Sequence, residues 1–144
     1  MVKRNYKNTV RVIDLRGSES WLSDTFSSPM TCCGKHYKSV YHYMVHQKAL
    51  AERNMRVAKL VEKASSFMEI CKLDRSLEIS PYCVWKEIED DVHNQGVIQK
   101  FRSDSNLQEK LLALDIDSPV RVTGGKVDIP LLRSIKTILR MEEV

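Results

Sequence analysis

Along most of this chain the apolar residues recur every three or four positions instead of every second one, and that spacing commits the fold mainly to helices. Ser39 is a side chain suited to cap a helix, and Val40, Tyr43, Met44, Gln47, Leu50 and Ala51 follow it at helical spacing. Val57, Leu60, Val61 and Ala64 continue the pattern, either in the same helix or after a break near Asn54. Ser80-Pro81 reads as an N-cap with proline in the first turn, opening a helix that faces Val84, Trp85, Ile88 and Val92 inward and is interrupted at Gly96 before Phe101. Ser105-Asn106-Leu107-Gln108 fits a capping box for a helix burying Leu107, Leu111, Leu112 and Leu114, which ends before Pro119. Pro130 opens a last helix with Leu131, Leu132, Ile135, Ile138 and Leu139 as its apolar stripe and Arg133, Lys136 and Arg140 on the wet side.

Strands are few. Val10 to Asp14 and Val120 to Thr123 are β-branched runs closed by Gly17-Ser18 and Gly124-Gly125, and Ser23 to Gly34 reads as a polar loop with one apolar insertion. A length of 144 residues suffices for one core. The expectation is a single domain over residues 1–144, α+β and mainly helical, with two or three short strands.

No apolar run reaches the roughly 20 residues of a membrane span, and no apolar signal-peptide core follows Met1-Val2-Lys3-Arg4, so a cytoplasmic protein without a membrane partner is expected. Cys32, Cys33, Cys71 and Cys83 show no CxxC spacing, which argues against a zinc knuckle or a disulfide framework. The net charge of +4 is small. Its basic residues gather at the ends, in Lys3, Arg4, Lys7, Arg11 and Arg16 and again in Arg121, Lys126, Arg133, Lys136 and Arg140, around a central acidic block of Glu87, Glu89, Asp90 and Asp91. The two basic ends suit either a path for phosphates or solvated helix faces.

Three stretches, Trp21-Leu22-Ser23-Asp24, Ser28-Pro29-Met30 and Gly34 to Tyr43 closed by Gln47-Lys48-Ala49, together follow an order in which L-S-N-F/Y and S-P-F precede G-x-x-Y-x-S-V-E-H-Y-Y-Q-x-x-K-A. Trp85 begins a W-x-x-x-K/R-x-x-M segment, and Lys100-Phe101, Asn106-Leu107 and Leu111-Leu112 fit K-F-x-x-N-x-x-L-x-x-L-L. Pro130 to Arg140 is similar to a closing N-x-L-G-x-x-L-M-x-x-R helix. Over about residues 20 to 140 the chain thus resembles the NADAR (YbiA-like) family of N-glycosidases. The resemblance implies a bacterial or phage source and no cofactor or metal. The implied ligands are ADP-ribose, ADP-ribosylated nucleic acid and phosphoribosyl compounds. The implied reaction is hydrolysis at a ribose anomeric carbon, through an oxocarbenium-like centre stabilised by a carboxylate and flanked by an aromatic wall.

The departures from the family pattern bear on that reaction. Tyr41 replaces the glutamate of E-H-Y-Y, and a phenol with a pKa near 10 is neutral at pH 7. Val122-Thr123-Gly124 stands at a W-G pair, Pro130 and Arg133 at the asparagine and glycine of the last motif, and Glu89 at the basic position after Trp85. The residues expected to bind a ligand are Ser23, Tyr41, His42 and Trp85, with no assigned catalytic residue. For each a plainer role exists: Trp85 as core, His42 as a hydrogen-bonded helix histidine. His42 and His46, four apart on one helix face with Cys32, Cys33 and His36 upstream, compose an alternative metal site.

The expected function is a divergent NADAR-like domain that binds a nucleotide sugar with impaired or absent glycosidase activity. One alternative is an active N-glycosidase in which Glu87, Asp90 or Asp91 replaces the missing carboxylate. The other is an interaction or inhibitor protein with a macromolecular partner.

Overall fold

A computed structural model of the protein describes residues 10–81 and 84–142, so Lys3, Arg4, Lys7 and Cys83 lie outside the described residues. The chain forms two compact units, one continuous over Ser27–Asp104 and one joining Met1–Phe26 to Ser105–Val144. Six α-helices and four short strands in two two-stranded sheets make up the described residues, an α+β architecture.

Strand β1 (Arg11–Asp14) belongs to the other unit, and the continuous unit begins with a hairpin of β2 (Met30–Cys32) and β3 (Lys35–Tyr37). The hairpin pairs Met30 with Tyr37, Thr31 with His36 and Cys32 with Lys35. Its two-residue turn, Cys33-Gly34, has φ of 55° and 80°, the type I′ pattern that matches the twist of the flanking strands. The sequence suggests only a polar loop here, because three-residue strands are too short to show alternation.

Four helices follow: α1 (Val40–Ala51), α2 (Met55–Lys63), α3 (Phe67–Ser76) and α4 (Trp85–Ser103). Side chains of Ser39, Asn54 and Ser66 accept the N–H groups of His42, Val57 and Glu69 and so cap the first three, each contributing about 1 kcal/mol. Asn54 therefore starts a separate helix. Between α1 and α2, Arg53 takes φ 58° while its N–H bonds the Leu50 carbonyl and the Asn54 N–H bonds that of Ala49, a Schellman closure with arginine where glycine is usual.

Helix α3 has no clear signature in the sequence, since Phe67 and Met68 are 50% and 63% exposed and only Ile70 is buried. Helix α4 departs from the sequence expectation in its start and its course, and Val84, expected inward, is 50% exposed. The helix starts at Trp85, not at Ser80-Pro81, and the Ser80 N–H bonds the Glu52 carboxylate. Gly96 does not interrupt it: a Cβ there would sit 2.9 Å from the Tyr43 ring, so the glycine allows α4 to lie against α1. Val45, Ala49, Val57, Ala58, Val61, Ala64, Ile70 and Leu77 form the core of α1, α2 and α3.

In the other unit, β1 pairs in parallel with β4 (Val120–Thr123), Ile13 opposite Val122. A 3₁₀ turn (Ser20–Leu22), α5 (Ser105–Ala113) and α6 (Ile129–Glu142) complete it. Along α6, Leu132, Ile135 and Leu139 are buried as the stripe predicts. Lys136 is not on the wet side: it is 3% exposed and its Nζ donates to the Leu114 carbonyl at 2.5 Å, while Arg133 Nε donates to Ile116 O at 2.6 Å. Carbonyls just past the end of α5 lack helical partners, and these two cations satisfy them.

Candidate functional site

Helix α1 carries most of the side chains at issue, and its 3.6-residue period sorts them. Tyr41, Val45 and Lys48 turn toward α3, while His42 and His46 share another face. The half-buried Tyr41 donates its hydroxyl to Asp74 Oδ2 at 2.8 Å, and Asp74 Oδ1 pairs with Lys48 Nζ at 2.9 Å. The Tyr41 ring lies 5.7 Å from that of Phe67. Burial, and then the adjacent Asp74 carboxylate, hold the Tyr41 phenol well above its usual range, so it is a neutral donor.

His42 is fully engaged. Its Nδ1 accepts the Lys38 N–H at 3.0 Å and its Nε2–H donates to the Val61 carbonyl at 2.6 Å. Burial keeps its pKa below the ordinary value, against the pull of the Val61 carbonyl.

His46 is the centre of a second chain of contacts. Its Nε2 lies 3.2 Å from Glu62 Oε1, and Glu62 also bonds Lys35. With the proton facing that carboxylate, Nδ1 accepts the Tyr37 hydroxyl at 2.8 Å. Burial lowers the His46 pKa despite Glu62 and raises that of Tyr37 to about 12, while the Lys35 hydrogen bond lowers that of Glu62. The chain Tyr37–His46–Glu62–Lys35 thereby ties β3 to α1 and α2.

The hairpin also borders a cavity of about 320 Å³ lined by Pro29, Met30, Thr31, His36, Tyr37 and Ser103. Pro29, Met30 and the Tyr37 ring are apolar walls. Thr31 Oγ1 and His36 Nδ1 are 2.9 Å apart, which leaves His36 Nε2 available. Beside this cavity in sequence, Ser28 is buried, its N–H bonded to the Lys38 carbonyl and its Oγ without a partner among the described residues.

None of the four residues expected to bind ligand lines this cavity. Tyr41 faces Asp74, His42 faces Val61, and Trp85 is 2% exposed at the start of α4. Ser23 lies in the other unit, where its Oγ accepts the Thr25 N–H at 3.3 Å and is 3.0 Å from Thr25 Oγ1. Glu87, Asp90 and Asp91 are exposed along α4. The carboxylate that meets Tyr41 is Asp74, a residue 33 positions away in a helix without a sequence signature.

The alternative metal cluster does not assemble. His36 bonds Thr31, His42 and His46 are engaged as above, and among the described residues no three His, Cys, Asp or Glu side chains group so as to hold a metal ion. No helix among the described residues is long and apolar enough to cross a membrane.

The profile of the NADAR domain matches residues 15–118. Among solved structures the protein is similar to the NMR structure of the E. coli protein YbiA, with a TM-score of 0.71 and 20% identity over 92% of this chain and 87% of that one. At that identity the likeness concerns the fold. No curated protein sequence matches the chain.

Proposed function

The chain belongs to the NADAR family, and from that membership we propose that it is a divergent NADAR domain that binds a nucleotide sugar, ADP-ribose or its adduct on nucleic acid, with glycosidase activity impaired or absent. The observation that carries the binding is the cavity. Four of its lining residues, Pro29, Met30, His36 and Tyr37, fall in two of the segments on which the family resemblance rests. A volume of about 320 Å³ is at the low end for ligand pockets and suits one ring system with its sugar, the rest of the ligand lying outside. Met30, Pro29 and Tyr37 would cover the ring faces, and His36, Thr31 and Ser103 would reach its polar edge.

Loss of hydrolysis follows from position 41. A forming oxocarbenium needs negative charge held nearby, and here a neutral phenol donates a hydrogen bond to Asp74, whose charge Lys48 already balances. One observation favours a second reading: Asp74 brings a carboxylate within 2.8 Å of the Tyr41 hydroxyl and is itself a candidate for the missing role.

Calorimetry with ADP-ribose tests the binding. His36→Ala is expected to weaken it about tenfold, the loss of about 1.4 kcal/mol. No heat up to millimolar ADP-ribose refutes the reading. ADP-ribosylated guanine DNA is expected to release no free ADP-ribose; release that Asp74→Asn abolishes would transfer the assignment to the second reading.

A further inference from the structure

At the hairpin tip, outside the cavity lining, two thiols stand side by side. Successive residues of a strand point to opposite faces. At Cys33 the left-handed φ of 55° turns the chain back, so that its Sγ comes to 3.8 Å from that of Cys32. Cys33 is exposed and Cys32 is buried at the end of β2.

We propose that Cys32 and Cys33 form a dithiol site that captures one trivalent arsenical. Sulfur bonds of about 2.3 Å to a shared centre, placed on sulfurs 3.8 Å apart, give an angle of about 111° at that centre. That angle suits a pyramidal or tetrahedral centre, whereas a linear two-coordinate ion requires about 4.6 Å between the sulfurs. Zinc in a closed site takes four protein ligands, and no third His, Cys, Asp or Glu joins this pair among the described residues. A disulfide between neighbours must close a Cα separation of about 3.8 Å, shorter than the range of about 4.4–6.8 Å that disulfides prefer, and is strained. A three-coordinate arsenic needs only the two thiols and its own substituent.

The chemistry balances without an oxidant. With phenylarsine oxide, two As–S bonds form and the As–O bond breaks; the oxygen leaves as water with both thiol protons, and arsenic stays trivalent. Cys33, being exposed, reacts first. Cys32 closes the ring, its thiolate helped by the Tyr43 hydroxyl, although burial pushes the thiol's pKa up.

The test is intact-mass spectrometry of the full chain, reduced and then treated with phenylarsine oxide. One phenylarsenic group per chain is expected, retained in excess glutathione because the second bond is intramolecular with an effective concentration on the order of millimolar or more, and removed by ethanedithiol. Cys32→Ser and Cys33→Ser are expected to lose it, and Cys71→Ser and Cys83→Ser to keep it. Cys33→Asn separates loss of the site from loss of the fold, since Asn-Gly is a favoured type I′ turn and this variant stays folded by circular dichroism. An adduct that survives in Cys33→Asn, disappears in Cys71→Ser or Cys83→Ser, or washes out with glutathione overturns the proposal.

Discussion

Replacing Tyr41 by glutamate would restore the side chain of the family pattern and put it opposite Asp74. The hydroxyl now lies 2.8 Å from Asp74 Oδ2. Because glutamate is shorter than tyrosine, the two carboxylates would stand about 5–6 Å apart, a repulsion of about 3 kcal/mol at an effective dielectric of about 20. Asp74 is 26% exposed and Lys48 lies beside it, so screening reduces this to about 1–2 kcal/mol. Loss of the hydroxyl–carboxylate bond adds about 1.5 kcal/mol and loss of ring packing on Phe67 about 1 kcal/mol. Tyr41→Glu is therefore expected to cost about 4 kcal/mol in total at pH 7, read by urea unfolding. In an Asp74→Asn background the repulsion vanishes, and the same substitution should cost about 1–2 kcal/mol less. The repelled carboxyl has a raised pKa in the folded state, so the folded form binds the extra proton and the deficit should shrink as pH falls toward 5. An equal cost in both backgrounds would refute the contact between Tyr41 and Asp74 as the determinant of this position.

Other outcomes follow from the contacts above. Arg53→Gly relieves a left-handed arginine in the Schellman closure and should raise stability by about 0.5–1 kcal/mol in thermal unfolding, any loss speaking against that backbone conformation. Lys136→Met keeps the side-chain volume but leaves the Leu114 carbonyl without its donor, for an expected loss of about 1–3 kcal/mol; a neutral result would place the ammonium in water. His42 and His46 both have folded pKa values held below 6.5 by burial, so the unfolded chain takes up protons first and stability should fall as pH drops below 6.5. The lowered pKa of Glu62 acts in the same direction only below about 4.5, which leaves the pH 6.5–5 window to the histidines; urea unfolding with unchanged or rising stability across it would contradict their neutral, buried state.

Family membership and the likeness to YbiA concern residues spread along the chain, whereas the proposed loss of hydrolysis turns on Tyr41 and on the carboxylate that meets it.

Local signals were enough to locate much of the fold. Ser39 caps α1 because its hydroxyl can reach an N–H three residues on, and the Leu132, Ile135 and Leu139 stripe buries because side chains three or four apart share a helix face. The Tyr41 substitution and its neutral phenol are likewise legible in the sequence. What tertiary structure decided is where polar groups find partners: Asp74 at Tyr41, Val61 O at His42, Leu114 O at Lys136. Those partners lie between 19 and 33 residues away, and a periodicity confined to one helix carries no information about them. The same holds at the hairpin, where pairing across a two-residue turn makes strands from segments too short to show a pattern of their own. A buried polar atom must be satisfied by whatever group packing brings near it, and that is a property of the assembled fold.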